Sequence, residues 1–234
     1  MNVLGIFVKH PVAGRVKTRL AADSGNKYAT ELYAAFLADI ADRFRETGDR
    51  RVLCYTPSDR AASSYFARVA GQHYELWPQP SASLGDRMAA FFDRFITAAA
   101  PRVVVIGSDS PTLPHDFVLQ AFHLLESRDC VLGPATDGGF YLVGQRDQPR
   151  PIFDGVEWSK SNVLDQTVER IAGIGASLGL LSPWYDVDTL DDLHVLRGHV
   201  KALRSSSSSS SSPIQLNNTE PLLRWDTSGR PGSL

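Results

Sequence analysis

Residues 3–20 read Val3-Leu4-Gly5-Ile6-Phe7-Val8-Lys9-His10-Pro11-Val12-Ala13-Gly14-Arg15-Val16-Lys17-Thr18-Arg19-Leu20. Val3 to Val8 is a short apolar run, continuous enough to be a strand covered on both faces. The loop after it holds Gly14 and four fixed cations, Lys9, Arg15, Lys17 and Arg19, and no acid occurs in residues 1–20. Gly14 lets the backbone turn tightly and approach a ligand. Arginine offers phosphate oxygens a planar fork and lysine a point charge. Such a loop at the carboxyl end of a strand points to a polyphosphate ligand; a solvated basic loop is the plainer alternative. The loop matches neither the G-x-x-x-x-G-K-[ST] phosphate loop nor the G-x-G-x-x-G dinucleotide fingerprint.

Outward from this stretch, strand-like and helix-like segments alternate. Leu32, Phe36, Ile40 and Phe44 recur every four residues and mark a helix. Arg51–Thr56, Tyr74–Trp77, Val103–Ile106, Cys130–Leu132, Phe140–Val143 and Leu178–Leu181 read as strands. Ala61–Val69, Phe117–Leu125, Ser159–Ile171 and Leu190–Leu203 read as helices, and Leu84, Met88, Phe91, Phe92, Phe95 and Ile96 form a further helical face. Alternation of this kind predicts an α/β fold with a mostly parallel central sheet and helices on both faces. Ligands of such sheets bind beyond the carboxyl ends of the strands.

The chain has 234 residues, with 24 Lys and Arg against 26 Asp and Glu, a formal net charge of −2. That balance argues against a general nucleic-acid binder. No apolar run reaches the length of a membrane span and no signal-like start is visible, so a cytoplasmic location is expected. Cys54 and Cys130, each in an apolar strand, read as buried reduced thiols. Ser205 to Ser212 is an unbroken serine run followed by a polar tail. It divides the chain into a catalytic domain, residues 1–204, and a Ser-rich linker with a flexible tail, residues 205–234. Oligomeric state is not legible.

Three further segments carry chemistry. Ile106-Gly107-Ser108-Asp109-Ser110-Pro111 puts a carboxylate at the end of the clearest buried strand, where Mg²⁺ or Mn²⁺ can bridge to substrate phosphates. Asp186 and Asp188 alternate in an extended segment ahead of a helix, where one of them can face that metal. Thr189, Asp191 and Asp192 are accounted for by the helix start itself. In Asp137-Gly138-Gly139-Phe140-Tyr141, Asp137 suits sugar hydroxyls or general-base work, although Asp-Gly is equally an ordinary hairpin turn. Trp158 either stacks on a sugar or packs in the core.

Together these segments resemble the bacterial GT-A-like family of arsenosugar-biosynthesis glycosyltransferases. The matching residues are Lys9-x-Pro11-x-x-Gly14-x-Val16-Lys17-Thr18-Arg19-Leu20, Gln79 with Leu84-Gly85-Asp86-Arg87-Met88, Ile106-Gly107-x-Asp109-x-Pro111, Gly133-Pro134-Ala135-x-Asp137-Gly138-Gly139-Phe140-Tyr141-Leu142, Val156-x-Trp158-Ser159 and Asp186-Val187-Asp188-Thr189. The resemblance spans about residues 3–200, with the motifs in the family's order. More distantly, the chain is similar to 2-phospho-lactate and molybdenum-cofactor guanylyltransferases. The resemblance implies a GT-A, nucleotide-diphospho-sugar transferase fold and a metal-dependent glycosyltransferase that uses a nucleotide-sugar donor and a small-molecule acceptor. Nucleotidyl transfer with release of pyrophosphate is the alternative. It implies phosphate contacts from Lys9, Pro11, Gly14, Arg15, Lys17 and Arg19, and a nucleotide seat that includes Gln79, Gly85 and Arg87. Mg²⁺ or Mn²⁺ would sit on Asp109 and Asp188, with Asp137, Gly138, Gly139 and Trp158 on the acceptor and sugar side and Asp137 as the base. The usual D-x-D is reduced here to Asp109-Ser110-Pro111.

Overall fold

The structure is a computed structural model that describes residues 1–205 and 214–224. The elements in chain order are β1 (Asn2–Lys9), α1 (Thr18–Ser24), α2 (Asn26–Arg43), β2 (Arg50–Thr56), α3 (Arg60–Ala70), β3 (Glu75–Pro78), α4 (Leu84–Phe95), β4 (Arg102–Ile106), α5 (His115–Leu124), β5 (Cys130–Pro134), β6 (Phe140–Arg146), α6 (Val163–Gly173), β7 (Leu178–Leu180), α7 (Leu190–Ser205) and α8 (Thr219–Leu222). The seven strands form one sheet in the order β3-β2-β1-β4-β6-β5-β7. All neighbours are parallel except β6, which runs antiparallel to both β4 and β5. The expected α/β architecture is therefore present, with β6 as its one reversed strand.

Alternation along β1 explains why the sheet is covered twice. Leu4, Ile6 and Val8 face a core built with α1, α2, α3, α5 and α7, while Val3 faces a second core built with α4 and α6. Position 5 points to the same face as Val3, and it is a glycine because the Phe91 ring fills the space: a Cβ there would come within 2.4 Å of it. Both cysteines are free and buried, as thiols in strand interiors should be.

The segment expected to be helical from Ser159 begins its helix only at Val163. The residues before it form a loop that lines a cavity.

The tail expected to be flexible needs correction for residues 214–224. Asp39, 3% exposed on α2, accepts hydrogen bonds from the backbone and side-chain nitrogens of Asn218 and from the Thr219 amide. Tyr28 and Arg197 donate to the carbonyls of Leu222 and Leu223, and Leu216 and Leu223 are buried. A polar stretch docks here because one buried carboxylate on α2 collects the donors of its turn. Residues 206–213, with most of the serine run, and residues 225–234 lie outside the described residues. No helix among the described residues is long and apolar enough to cross a membrane.

Candidate active site

The loops after β1 and β4 meet the segment before α7 at the carboxyl end of the sheet. Their contact is built from backbone upward. The Val187 amide donates to the Asp109 carbonyl at 2.9 Å, and the Gly107 amide donates to the Tyr141 carbonyl at 3.1 Å. Tyr33 of α2 shares a hydrogen bond with Ser108 at 2.8 Å and accepts one from the Lys9 amide at 3.1 Å. One phenol thus fixes both loops.

Lys17 is the N-cap of α1 with φ 46° and ψ 45°, a left-handed conformation unusual for a residue with a side chain. This turn sends its side chain inward. The ammonium donates to Asp109 Oδ1 and, at 2.9 Å, to Asp188 Oδ1, while Arg19 reaches Asp188 Oδ2 at 2.5 Å. The side chains of Lys17, Asp109 and Asp188 are 3%, 43% and 31% exposed. Lys17 also lies 5.6 Å from the Tyr33 ring centre and 5.8 Å from that of Phe36, within range of a cation–π attraction. Burial pulls the Lys17 ammonium towards neutrality, but Asp109 and Asp188 outweigh it and hold its pKa above the ordinary value. Burial likewise opposes ionisation of Asp188, and Lys17 with Arg19 outweighs it and lowers that pKa.

Asp186 points the other way. It accepts a hydrogen bond from Ser110 and lines the cavity instead of joining Lys17. Burial, then the nearby Asp109 charge, pushes its pKa up to about 7. Asp192 is used locally: its Oδ2 accepts from the Thr189 amide and hydroxyl, and the Asp192 amide donates to Thr189 Oγ1. This reciprocal cap accounts for it.

Beside the carboxylates lies a cavity of about 780 Å³ over β4 and β6, lined in part by Arg19, Asp109, Asp137, Phe140, Trp158 and Asp186. Asp137 occupies the β5–β6 hairpin turn, where its Oδ1 accepts from the Gly139 amide at 2.9 Å. The hairpin and the pocket therefore share one residue. Gly138, at φ 91°, lets the turn touch the Trp158 loop; a Cβ there would fall 1.8 Å from the Ser161 carbonyl oxygen.

Some expected residues are not brought together. Arg15 is exposed, with no ion-pair partner among the described residues, and Lys9, Pro11 and Gly14 do not line the cavity. Gln79 is 4% exposed; its amide nitrogen donates to the Cys54 carbonyl and its oxygen accepts from Arg87 at 3.4 Å. Arg87 also donates to the Ala82 carbonyl at 2.8 Å. In the expected nucleotide seat from Gln79 to Arg87, the Gln79 side chain spends its polar atoms on holding the loop ahead of α4. Gly85 supports the indole: a Cβ would lie 2.8 Å from Trp158 Nε1. The contact residues Tyr33 and Ser108 were not expected, since Tyr33 reads only as another core aromatic of α2.

The resemblance implies a divalent metal, and the donor chemistry fits one. Two carboxylates from separate loops reach a single cation, and Asp109 stays open to solvent. Mg²⁺ and Mn²⁺ take one or two such carboxylates and complete their shells with water and substrate phosphates. No group of three or more His, Cys, Asp or Glu suited to a metal occurs among the described residues, so the fit is to an open site and not to an all-protein cage.

The fold is that of the nucleotide-diphospho-sugar transferases. The chain is 34% identical to a provisionally named nucleotide-diphospho-sugar transferase from Desulfovibrio desulfuricans G20, with a TM-score of 0.83 over 95% of this chain and 96% of that one. A family model described as "Uncharacterized protein conserved in bacteria (DUF2064)" matches residues 40–160, and the chain belongs to that family. The fold is also shared with CMP:2-keto-3-deoxy-manno-octonic acid synthetase in complex with CTP, at 10% identity and a TM-score of 0.55 over 86% and 98% of the two chains. A third likeness is 4-diphosphocytidyl-2C-methyl-D-erythritol synthase from Anaerococcus prevotii DSM 20548, at 8% identity and a TM-score of 0.55 over 85% and 98%. No curated protein gives a significant match.

Proposed function

We propose that the chain is a metal-dependent glycosyltransferase that moves a sugar from a nucleotide-diphospho-sugar to a small-molecule acceptor. One observation carries this reading: Lys17 and Arg19 converge with Asp109 and Asp188 beside a cavity of about 780 Å³ at the carboxyl end of the sheet. The name of the Desulfovibrio relative points to the same donor class. Cations of the first loop, Lys9, Arg15, Lys17 and Arg19, meet the diphosphate, and Pro11 and Gly14 shape the turn that presents them. Asp109 and Asp188 are the residues to hold Mg²⁺ or Mn²⁺, which when bound supplies positive charge to the departing diphosphate. Asp137 receives the acceptor's proton at Oδ2, because its Oδ1 is already held by the Gly139 amide. Gly138, Gly139 and Trp158 shape the acceptor side.

The test is a product assay. Purified protein is incubated with a panel of nucleoside-diphospho-sugars and Mn²⁺, in parallel with nucleoside triphosphates and sugar phosphates. Release of nucleoside diphosphate, abolished by chelation and reduced about a hundredfold or more in Asp109→Asn, is the expected result. Pyrophosphate release would show nucleotidyl transfer instead. A specific ligand at a hundredfold excess over its dissociation constant stabilises the fold by about 2.7 kcal/mol. No product and no melting response across the panel would overturn both readings.

A further inference from the structure

The cavity beside Asp137 is lined by carboxylates with Arg19, by the polar loop residues Ser159, Lys160 and Ser161, and by an apolar wall. Asp109 comes from the loop after β4, Asp137 from the β5–β6 turn, Asp186 from the segment before α7, and Arg19 from α1. The apolar wall belongs to the α4 and α6 core: Met88 is part of that cluster, and Phe7, Phe140 and Trp158 pack against it. Leu84, in the first turn of α4, also lines the cavity, with 45% of its surface exposed.

Trp158 is a fixed surface. Gly85 leaves room for its indole, and Phe140 and Phe153 hold it with ring centres each 6.2 Å away. Its loop is pinned to the hairpin, since the Leu164 amide donates to the Gly138 carbonyl at 2.9 Å. The indole therefore keeps its place relative to Asp137 before any ligand arrives.

The side chains of Phe7, Leu84, Met88 and Phe140 have no polar atoms to replace water. A ring covered with hydroxyls would lose hydration against this wall without recovering hydrogen bonds. A ring with a bare flat face loses nothing there and gains aromatic contact. Resting on the transferase reading above, we propose that the acceptor is a small compound with a planar apolar ring and a reactive hydroxyl, its ring on Trp158 and Leu84 and its hydroxyl at Asp137. In the transfer, that hydroxyl oxygen bonds to the anomeric carbon of the donor sugar. The bond from that carbon to the diphosphate oxygen breaks, its electron pair leaves with the diphosphate, and the hydroxyl proton passes to Asp137.

4-Methylumbelliferone, a planar hydroxycoumarin, is the probe, titrated with full-length protein without donor and followed by its own fluorescence. Saturable binding is expected, weakened about tenfold by Trp158→Ala and by Leu84→Ser at unchanged melting temperature. Leu84→Ser guards against an effect of Trp158→Ala on folding. Methyl β-D-glucoside should displace the coumarin only at large excess. Equal displacement by the glucoside, no saturable binding, or wild-type affinity in both variants would overturn the proposal. The donor reading is followed separately, through melting shifts with nucleoside diphosphates, so failure of either is seen without the other.

Discussion

Lys17 Nζ lies 2.9 Å from Asp188 Oδ1, although 171 residues separate them in the chain. The same ammonium meets Asp109, 92 residues away. A single buried cation thus joins two loops and the segment before α7. Both Asp188 oxygens are occupied, one by Lys17 and the other by Arg19. Asp109 engages Lys17 through Oδ1 and stays open to solvent.

A divalent cation held by Asp109 and Asp188 would compete with Lys17 for the same carboxylates. In Lys17→Met, without nucleotide, Mn²⁺ affinity measured by electron paramagnetic resonance should rise about tenfold, while donor turnover falls about a hundredfold or more. Arg15→Met removes an exposed charge with no contact to either carboxylate, and should leave Mn²⁺ affinity within about twofold. Equal Mn²⁺ affinity in wild type and Lys17→Met would refute the competition.

Gly138→Ala should damage both site and fold. The position has φ 91°, and the added Cβ would meet the Ser161 carbonyl oxygen at 1.8 Å. The loop carrying Trp158 must move away, at a cost of about 1–3 kcal/mol. Denaturant melts should show the loss, and the Trp158 contribution to intrinsic fluorescence should change with it. Unchanged stability and spectrum would mean that the hairpin and the loop are not in contact.

Asp186 sets a pH dependence of stability in the metal-free protein. Its pKa rises from an ordinary 3.8 to about 7 in the folded chain, because of burial and then Asp109. Between those values the unfolded chain has released this proton and the folded chain retains it. Stability from this group is therefore lost as pH rises through the window, and the loss levels off above about pH 7. Asp186→Asn keeps an oxygen for the Ser110 hydroxyl and removes the titration. Its melting temperature should match wild type near pH 4 and exceed it by about 3 °C or more at pH 8. A constant gap across that range would count against the buried proton.

Asp39→Ala should release the docked segment around Asn218 and Thr219. Three donors lose one buried acceptor, which costs about 2–4 kcal/mol. Hydrogen exchange should speed up at the Glu220 and Leu223 amides, which are bonded to Leu216 and Glu220 carbonyls, before the sheet is affected. Protection equal to wild type would show that the segment is held by its apolar contacts alone.

Much of this molecule is legible along the chain. The strand from Val3, the stripe of Leu32, Phe36 and Ile40, and the loops after Val8 and Ile106 follow from periodicity and from the rule that parallel sheets bind at their carboxyl ends. Gln79 was legible only as a motif member. Its polar atoms hold the loop before α4, a pairing that no spacing announces.

By itself, the sequence determined most of the strands and helices, the apolar faces that fill the core, and which loops carry charge, because those properties repeat over a few neighbouring residues. Only the tertiary structure decided that β6 runs antiparallel between β4 and β5, that Lys17 stands between Asp109 and Asp188, that Asp186 turns towards the cavity, and that Asp39 anchors a segment 180 residues further on. Those outcomes depend on strand order and on side chains that meet across most of the chain, and local pattern carries no record of either.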